Sequence, residues 1–313
     1  MNFIVKKTNE MSHSEKEAIC DLFFDVFKIE KTVASFIKQF ENSDFGYSYF
    51  CLMYDEDILV GSYAAIPELY NFFGNNVSFA QSVDTMIKAN YRGSPFTLKK
   101  MTNKLYKELI NDQICFVYGF PNDKIYQIRE RVLKWQNIYN LDIYFIPLKV
   151  SFISKYLKFI DYFVRLLVRF INIFVFNSDV LGNFNNRSII KKNNLVQDQS
   201  NEIKIMSSSV IKYRYSIKYV KKIKIAIIGN IHPFCKQSFE KTVKEITKFD
   251  DIDLIAYIGH LDFKPINLIR VPKKIQPKKI RLSGRILLSD IVDDRVFDIK
   301  NWEINPLNFD WSS

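Results

Sequence analysis

A chain of 313 residues with 48% hydrophobic and 25% charged residues can bury one large core or two ordinary ones, and two domains is the reading its length favours. From Met1 to Asn9 apolar and polar residues alternate, and Ser12, Ser14, Glu15 and Glu17 follow, which does not resemble a secretory leader, so a cytoplasmic location is expected. Cys20, Cys51, Cys115 and Cys235 lie far apart with no C-x-x-C spacing, which argues against disulfides and a zinc site, while 45 basic against 34 acidic residues, net +11, leave room for a polyanionic partner.

Ser14-x-x-Glu17 reads as a capping box, and Ile19, Leu22, Phe23, Val26 and Phe27 follow at the spacing of one buried helical face, so a helix is predicted over about 14–28. Val33, Phe36, Ile37 and Phe40 repeat the period up to an Asn42-Ser43 breaker. Segments 47–54 and 58–66 are apolar and rich in strand formers around Asp55-Glu56-Asp57, which predicts a hairpin. A second turn over 71–76, containing Gly74, leads into a strand over 77–87. Leu98, Met101, Leu105 and Leu109 mark a helix, and 114–119 is a short apolar run of the kind buried on both faces. Ile125, Ile128, Val132 and Trp135 restore helical spacing before a strand over 138–150. The order β, two helices, β meander, helix, β, helix, β gives an α/β fold with a mixed sheet.

Between Ser151 and Phe176 the charged residues Lys155, Lys158, Asp161, Arg165 and Arg169 fall on one narrow stripe of an otherwise apolar, aromatic helix. Five charges disfavour a membrane span. Two readings stay open: a helix packed between domains with one wet edge, or a helix lying in a membrane interface. Residues 177–209, rich in Asn, Ser and Lys, read as a linker with room for one strand. Strand 222–229, helix 237–249 and strand 252–259 then echo 77–119, although Asn230-Ile231-His232-Pro233 lacks a glycine turn able to cradle phosphate. Residues 285–311 read as strands with a turn at Asp293-Asp294. The basic runs 212–224 and 264–285 fit either a solvated face or a polyanion site.

The chemistry concentrates at Asn90-Tyr91-Arg92-Gly93-Ser94. A helix starting directly after a glycine turn leaves its first amides free, and with its dipole these suit a pyrophosphate; Arg92 adds charge and Gly93 allows close approach. The run Gln81-Ser82-Val83-Asp84-Thr85-Met86-Ile87, this turn, and Phe116-Val117-Tyr118-Gly119 leading to Phe120-Pro121-Asn122 resemble the GNAT superfamily of acetyl-CoA-dependent N-acetyltransferases. The resemblance spans roughly residues 1–150 and is nearest to bacterial members associated with surface-polysaccharide synthesis. Ser209 to Tyr215 resembles their second half, so the chain divides into a GNAT domain over 1–150, an amphipathic helix and linker over 151–199, and a degenerate GNAT-like domain over 200–313.

The resemblance implies that Met86 and Ile87 offer backbone groups to a pantetheine arm, that Arg92, Gly93, Ser94, Phe96 and Thr97 surround the pyrophosphate, and that Asn122 contacts the pantetheine or a water. Pro95 stands where that pattern has a glycine and brings no N–H. Alignment on Leu133-Lys134-Trp135 places Glu130 where the superfamily often has an acidic tyrosine, with Tyr126 the nearest substitute. For the base, Asp84 or Glu68 are the candidates, and each also fits a strand-end or solvated carboxylate. His232 and Cys235 lack a third residue to orient them, and no histidine stands in metal-ligand spacing.

The function implied is acetyl transfer from acetyl-CoA, without metal, to a small-molecule primary amine, with an amino sugar implied by the resemblance alone. The alternative is a non-catalytic protein binding anionic membrane, through 151–176, or nucleic acid, through its basic surface. No interleaving of aromatic and basic residues favours nucleic acid.

Overall fold

The computed structural model describes residues 1–151, 155–175, 187–192, 203–207, 211–249, 251–276 and 278–304. Strand β1 (Asn2–Lys7) leads to α1 (His13–Phe27) and α2 (Val33–Phe40). Ser12, not Ser14, caps α1: its Oγ accepts the Glu15 amide at 3.2 Å while Glu15 Oε2 accepts the Ser12 amide at 3.0 Å. Ile19, Leu22 and Phe23 of α1 and Phe36 and Phe40 of α2 are buried on one face of the sheet with Phe50, Leu52, Ala64 and Met86.

The meander β2 (Tyr49–Asp55), β3 (Ile58–Phe72) and β4 (Asn75–Ile87) follows. Strand β3 runs well past the predicted end at 66, because its turn is only Phe73-Gly74, both at positive φ (51° and 92°), the geometry that matches strand twist in a two-residue hairpin. The opposite sheet face is covered by α3 (Pro95–Asn111), whose Leu98, Met101, Leu105 and Leu109 pack on Cys51, Tyr63, Ala65 and Ala80. Next come β5 (Ile114–Gly119), buried throughout as predicted, and α4 (Asp123–Arg131). Trp135 lies beyond α4, which ends at Arg131 with Val132 as its cap, and Lys134 turns left-handed at φ 58°.

The predicted single strand over 138–150 is two strands, β6 (Gln136–Asn140) and β7 (Asp142–Pro147), in different sheets. The corner is built at Leu141 and Asp142. The Leu141 amide bonds the Ile280 carbonyl at 2.8 Å, and the buried Asp142 carboxylate takes Arg270 at 2.8 Å, Lys273 at 2.7 Å and Tyr139 at 3.0 Å. Helix α5 (Ile160–Ile173) and the short β8 (Ile189–Lys191) come next. The rest of the predicted linker lies outside the described residues apart from β9 (Ile203–Ser207). Strands β10 (Lys212–Val220) and β11 (Ile223–His232), helix α6 (Lys236–Ile246), and strands β12 (Leu254–Gly259), β13 (Ile269–Arg270) and β14 (Arg281–Ile286) complete the chain. In the tail, where strands were expected, β14 reaches Ile286 and Trp302 makes a single bridge to Ile189; Asp293 caps a 3-10 turn over Asp294–Phe297, and 305–313 lie outside the described residues.

The first sheet runs β1-β2-β3-β4-β5-β14-β6 with β8 beside β3, and the second β13-β7-β12-β11-β10-β9. The two have exchanged strands: β14 inserts antiparallel beside β5, and β7 takes the matching place beside β12. A division at residue 150 therefore does not separate the sheets. The echo between halves extends to detail. In β4, Ser62 faces Met86 but Ala64 faces Val83, one residue too many; in β11, Tyr213 faces Ile231 but Tyr215 faces Ile228. Each bulge lies at the end of a parallel pairing, β4 with β5 or β11 with β12.

The exposed side of α5 departs from a helix packed between domains. Val168 and Asn172 are buried, and Asn172 bonds Thr247 and Asn267, but Phe159, Phe163, Leu166, Phe170, Ile173 and Phe174 stay between 41% and 70% exposed. Among the described residues no helix is long and apolar enough to cross a membrane.

Candidate active site

The parallel pairing of β4 with β5 ends at Gln81 opposite Tyr118, and β4 continues alone on that side to Ile87. The bulge at Asp84-Thr85 bends β4 away, with Asp84 left-handed at φ 43°, so the two strands open into a wedge. Met86 is buried and pairs with Ser62 on the far side of β4. Ile87 pairs with Gly61, and its carbonyl accepts Arg92 Nε at 2.6 Å. Arg92 thus folds back onto the strand end that the pantetheine was expected to use.

The turn enters α3 through a 3-10 turn, with Ser94 as cap and Pro95 as first helical residue. Proline suits that position because its missing N–H has no intrahelical acceptor and its φ is pre-set. The first amides are nonetheless engaged: Phe96 N–H donates to Ser94 Oγ and Thr97 N–H to the Ser94 carbonyl, both at 3.2 Å. An anion at this turn would have to displace the Ser94 cap or use Gly93 and Ser94. Charge favours it. The first turn holds no acid, and Arg92, Lys99 and Lys100 are exposed around it, the reverse of what stabilises an isolated helix start. A Cβ on Gly93 would meet nothing within 4 Å, so the approach is open, and Phe96 is 63% exposed beside it.

Asn122 caps α4, its Oδ1 accepting the Ile125 amide at 3.1 Å. Tyr126, half-buried, donates to Glu130 Oε1 at 2.9 Å under the Arg281 guanidinium, 4.6 Å from its ring centre. The phenol is pushed up by burial and by Glu130, and neither side chain hydrogen-bonds to β4 or β5 among the described residues. The residue that does is Arg129. Its Nη2 donates to Ser82 Oγ at 2.8 Å and Thr85 Oγ1 at 3.2 Å, on the free part of β4. A Cβ on Gly119 would lie 3.0 Å from its Nη1, so the guanidinium fills the gap between the two strands. The signal was present in the sequence: Arg129 falls four residues after Ile125 and three before Val132, a charge on the apolar stripe of its helix.

The two candidate carboxylates lie on the opposite sheet face and both have lysine partners that sequence spacing did not reveal. Buried Glu68 has both oxygens engaged, Oε1 by Lys191 of β8 at 2.6 Å and Oε2 by the Tyr118 hydroxyl at 2.5 Å, with Tyr70 2.9 Å from Tyr118. Burial, then Glu68, pushes the Tyr70 and Tyr118 phenols well above their ordinary range. Asp84 Oδ2 pairs with Lys31 at 2.6 Å and meets Gln39 at 3.5 Å. Its Oδ1 has no hydrogen bond among the described residues.

Elsewhere the chemistry-bearing residues prove structural. All four cysteines are buried and free; burial pushes Cys51 and Cys115 up to about 12, and Cys235 caps α6. Much of the basic run 264–285 is spoken for: Arg270 and Lys273 by Asp142, Arg281 by Asp123, and Arg285 by the Leu133 carbonyl at 2.9 Å. Among the described residues no group of three or more His, Cys, Asp or Glu stands ready to hold a metal.

Residues 7–130 match the family model described as an acetyltransferase (GNAT) domain. No curated protein matches the chain. Among solved structures it is similar over 92% of its length, and 73% of the other chain, to a conserved protein from Enterococcus faecalis V583 described as a probable N-acyltransferase, with TM-score 0.57 and 13% identity. A GCN5-related N-acetyltransferase from Kribbella flavida is similar over 91% of this chain and 72% of its own, TM-score 0.58 at 9% identity. Eis1 from Mycobacterium abscessus is similar over 92% and 74%, TM-score 0.54 at 9% identity. At such identities the likeness speaks for the fold, which thus extends over both sheets.

Proposed function

We propose that this chain, which carries a GNAT acetyltransferase domain and is an acyltransferase by class, transfers an acetyl group from acetyl-CoA to the primary amine of an amino sugar for a surface polysaccharide. One observation carries the cofactor part: the bulged, unpaired edge of β4 stands directly before an acid-free helix start ringed by Arg92, Lys99 and Lys100. In this reading the pyrophosphate sits over Gly93 and Ser94, within reach of Arg92, Phe96 and Thr97. The pantetheine runs back along Ile87 and Met86 past Asn122, and the thioester reaches the wedge at Ser82.

The acceptor comes from the face of α1 and α2. Asp84 is better suited than Glu68 to take the ammonium proton, because Glu68 has both oxygens engaged whereas Asp84 has Oδ1 to offer. Tyr126, bonded to Glu130, is not the acid in this reading. The sugar and the polysaccharide role are supported only by the sequence resemblance. The test is incubation with acetyl-CoA and a panel of amines, amino-sugar nucleotides among them, following free thiol: release with amino sugars supports the reading, and no release with any amine overturns it.

A second reading has its own observation. The exposed aromatic face of α5, flanked by Lys158 and Arg169, supports peripheral contact with an anionic membrane. Such contact is compatible with catalysis on a lipid-linked acceptor from the cytoplasmic side. It is also what a non-catalytic binder of membrane or nucleic acid needs, and the amine panel separates the two.

A further inference from the structure

Resting on the acyl-CoA reading above, we propose that Arg129 receives the negative charge of the departing CoA thiolate, in place of a proton-donating acid. A buried guanidinium is stable when a carboxylate neutralises it or when all its donors are bonded. Arg129 is only 4% exposed, yet no ion pair forms on it among the described residues. Its Nη2 rests on two neutral hydroxyls, Ser82 and Thr85, while Nε and Nη1 have no hydrogen-bond partner. Beside it stands the Trp135 ring, 4.4 Å from the guanidinium carbon, whose indole N–H is fixed on Tyr106 at 3.0 Å. The wedge therefore holds a positive charge with unused donors, at the place where β4 and β5 part and Gly119 withholds a Cβ.

An anion completes this arrangement, and acyl transfer makes one at that point. The acceptor nitrogen attacks the thioester carbonyl, the C–N bond forms, and the C–S bond breaks with its electron pair on sulfur. The ammonium proton leaves to Asp84 or water. A guanidinium stays protonated at any working pH and so donates no proton; it pairs with the thiolate, which takes a proton from water after release. No acid is needed, and the Tyr126 hydroxyl is already bonded to Glu130. Nη2 is placed on β4 through Ser82 and Thr85, which leaves Nε and Nη1 unbonded, Nη1 only 3.0 Å from where a Gly119 Cβ would stand.

The test uses the whole protein, with CoA and desulfo-CoA, in which hydrogen replaces the thiol, titrated between about pH 6 and about pH 10 around the ordinary thiol range. CoA is expected to bind more tightly as pH rises through the thiol pKa, by about tenfold for each unit that binding lowers that pKa, with desulfo-CoA flat. Arg129→Met is expected to lose the rise and keep desulfo-CoA binding; Arg129→Lys is expected to keep part of it. Equal pH dependence of the two ligands on the wild-type protein overturns the role of Arg129 while leaving the acyl-CoA reading intact. Failure of both ligands to bind overturns both.

Discussion

The Lys31 ammonium lies 2.6 Å from Asp84 Oδ2, joining the segment between α1 and α2 to the left-handed residue of the β4 bulge, with both side chains about nine-tenths buried. Lys31 also stands 4.1 Å from the centre of the Phe23 ring, so the pair ties α1 to the strand that forms the wedge. Asparagine tolerates a left-handed backbone, so Asp84→Asn removes the charge and leaves the bulge. An unpaired buried charge then costs about 3 kcal/mol, part of which Lys31→Met restores in the double variant, measured by urea unfolding. With Asp84 as proton acceptor, Asp84→Asn also lowers kcat by about a hundredfold or more with the KM for acetyl-CoA little changed. A kcat within a few-fold of wild type removes Asp84 from that role.

Asp142 sets an acid limit on the fold. Burial pushes its carboxyl up, but Lys273, Arg270 and Tyr139 together outweigh that and hold it below the ordinary carboxylate range. A depressed folded pKa means stability that is present above the unfolded value, near 3.8, and lost as pH falls through the lower folded value. Unfolding midpoints measured between neutral pH and the acid range should therefore decline more steeply for the wild type than for Asp142→Asn. The variant should already be weaker at neutral pH, because Arg270 and Lys273 lose their common partner where the chain passes between sheets.

The elements themselves were largely legible, because each carries its own period: the apolar faces of α1, α2, α3 and α6 and the continuous run of β5 are local facts. What local pattern lacks is pairing. Nothing in Gln136–Pro147 announces that β6 and β7 join different sheets, since that turns on Asp142 meeting Arg270 and Lys273 far along the chain. The same applies to the site. The turn at Arg92 is contiguous and readable, whereas the partners of Glu68 and Asp84 come from Lys191 and Lys31. Arg129 went unnamed because alignment on Leu133-Lys134-Trp135 points to Glu130 and Tyr126, whereas the contact that matters, Arg129 on Ser82 and Thr85, joins residues more than forty positions apart.

In the proposed site Arg92 exchanges one acceptor for another when a cofactor arrives. It now donates to the Ile87 carbonyl, and a pyrophosphate offers a charged acceptor instead. Arg92→Ala should weaken CoA binding by about tenfold or somewhat more, the value of one charge-assisted bond less the bond given up, and should make binding less sensitive to salt. Pro95→Ala should act oppositely, supplying an N–H at the first helical position and tightening CoA binding a few-fold, while lowering stability by a few tenths of a kcal/mol. Isothermal titration at two salt concentrations decides both. An Arg92→Ala variant that binds as the wild type does places the pyrophosphate elsewhere.

Helix α5 offers a prediction whose variants leave the core untouched. Its exposed ridge, Phe159, Phe163, Leu166, Phe170 and Ile173, follows the i, i+4, i+7, i+11, i+14 spacing of one helical face, while Val168 and Asn172 hold the opposite side to the second sheet. Water gains nothing from keeping such a ridge, and each large side chain moved out of it contributes about 1.5–3 kcal/mol. Lys158 and Arg169 beside it add about 1 kcal/mol each against an anionic surface. Co-sedimentation with phosphatidylglycerol vesicles should therefore exceed that with phosphatidylcholine vesicles and fall as salt rises. The double variant Phe163→Asp, Phe170→Asp should abolish it with an unchanged unfolding midpoint, because both positions are exposed. Retention of binding by that variant moves the contact to another basic surface. Loss of self-association in the variant, with no vesicle binding by the wild type, makes the ridge an interface between copies of the chain instead.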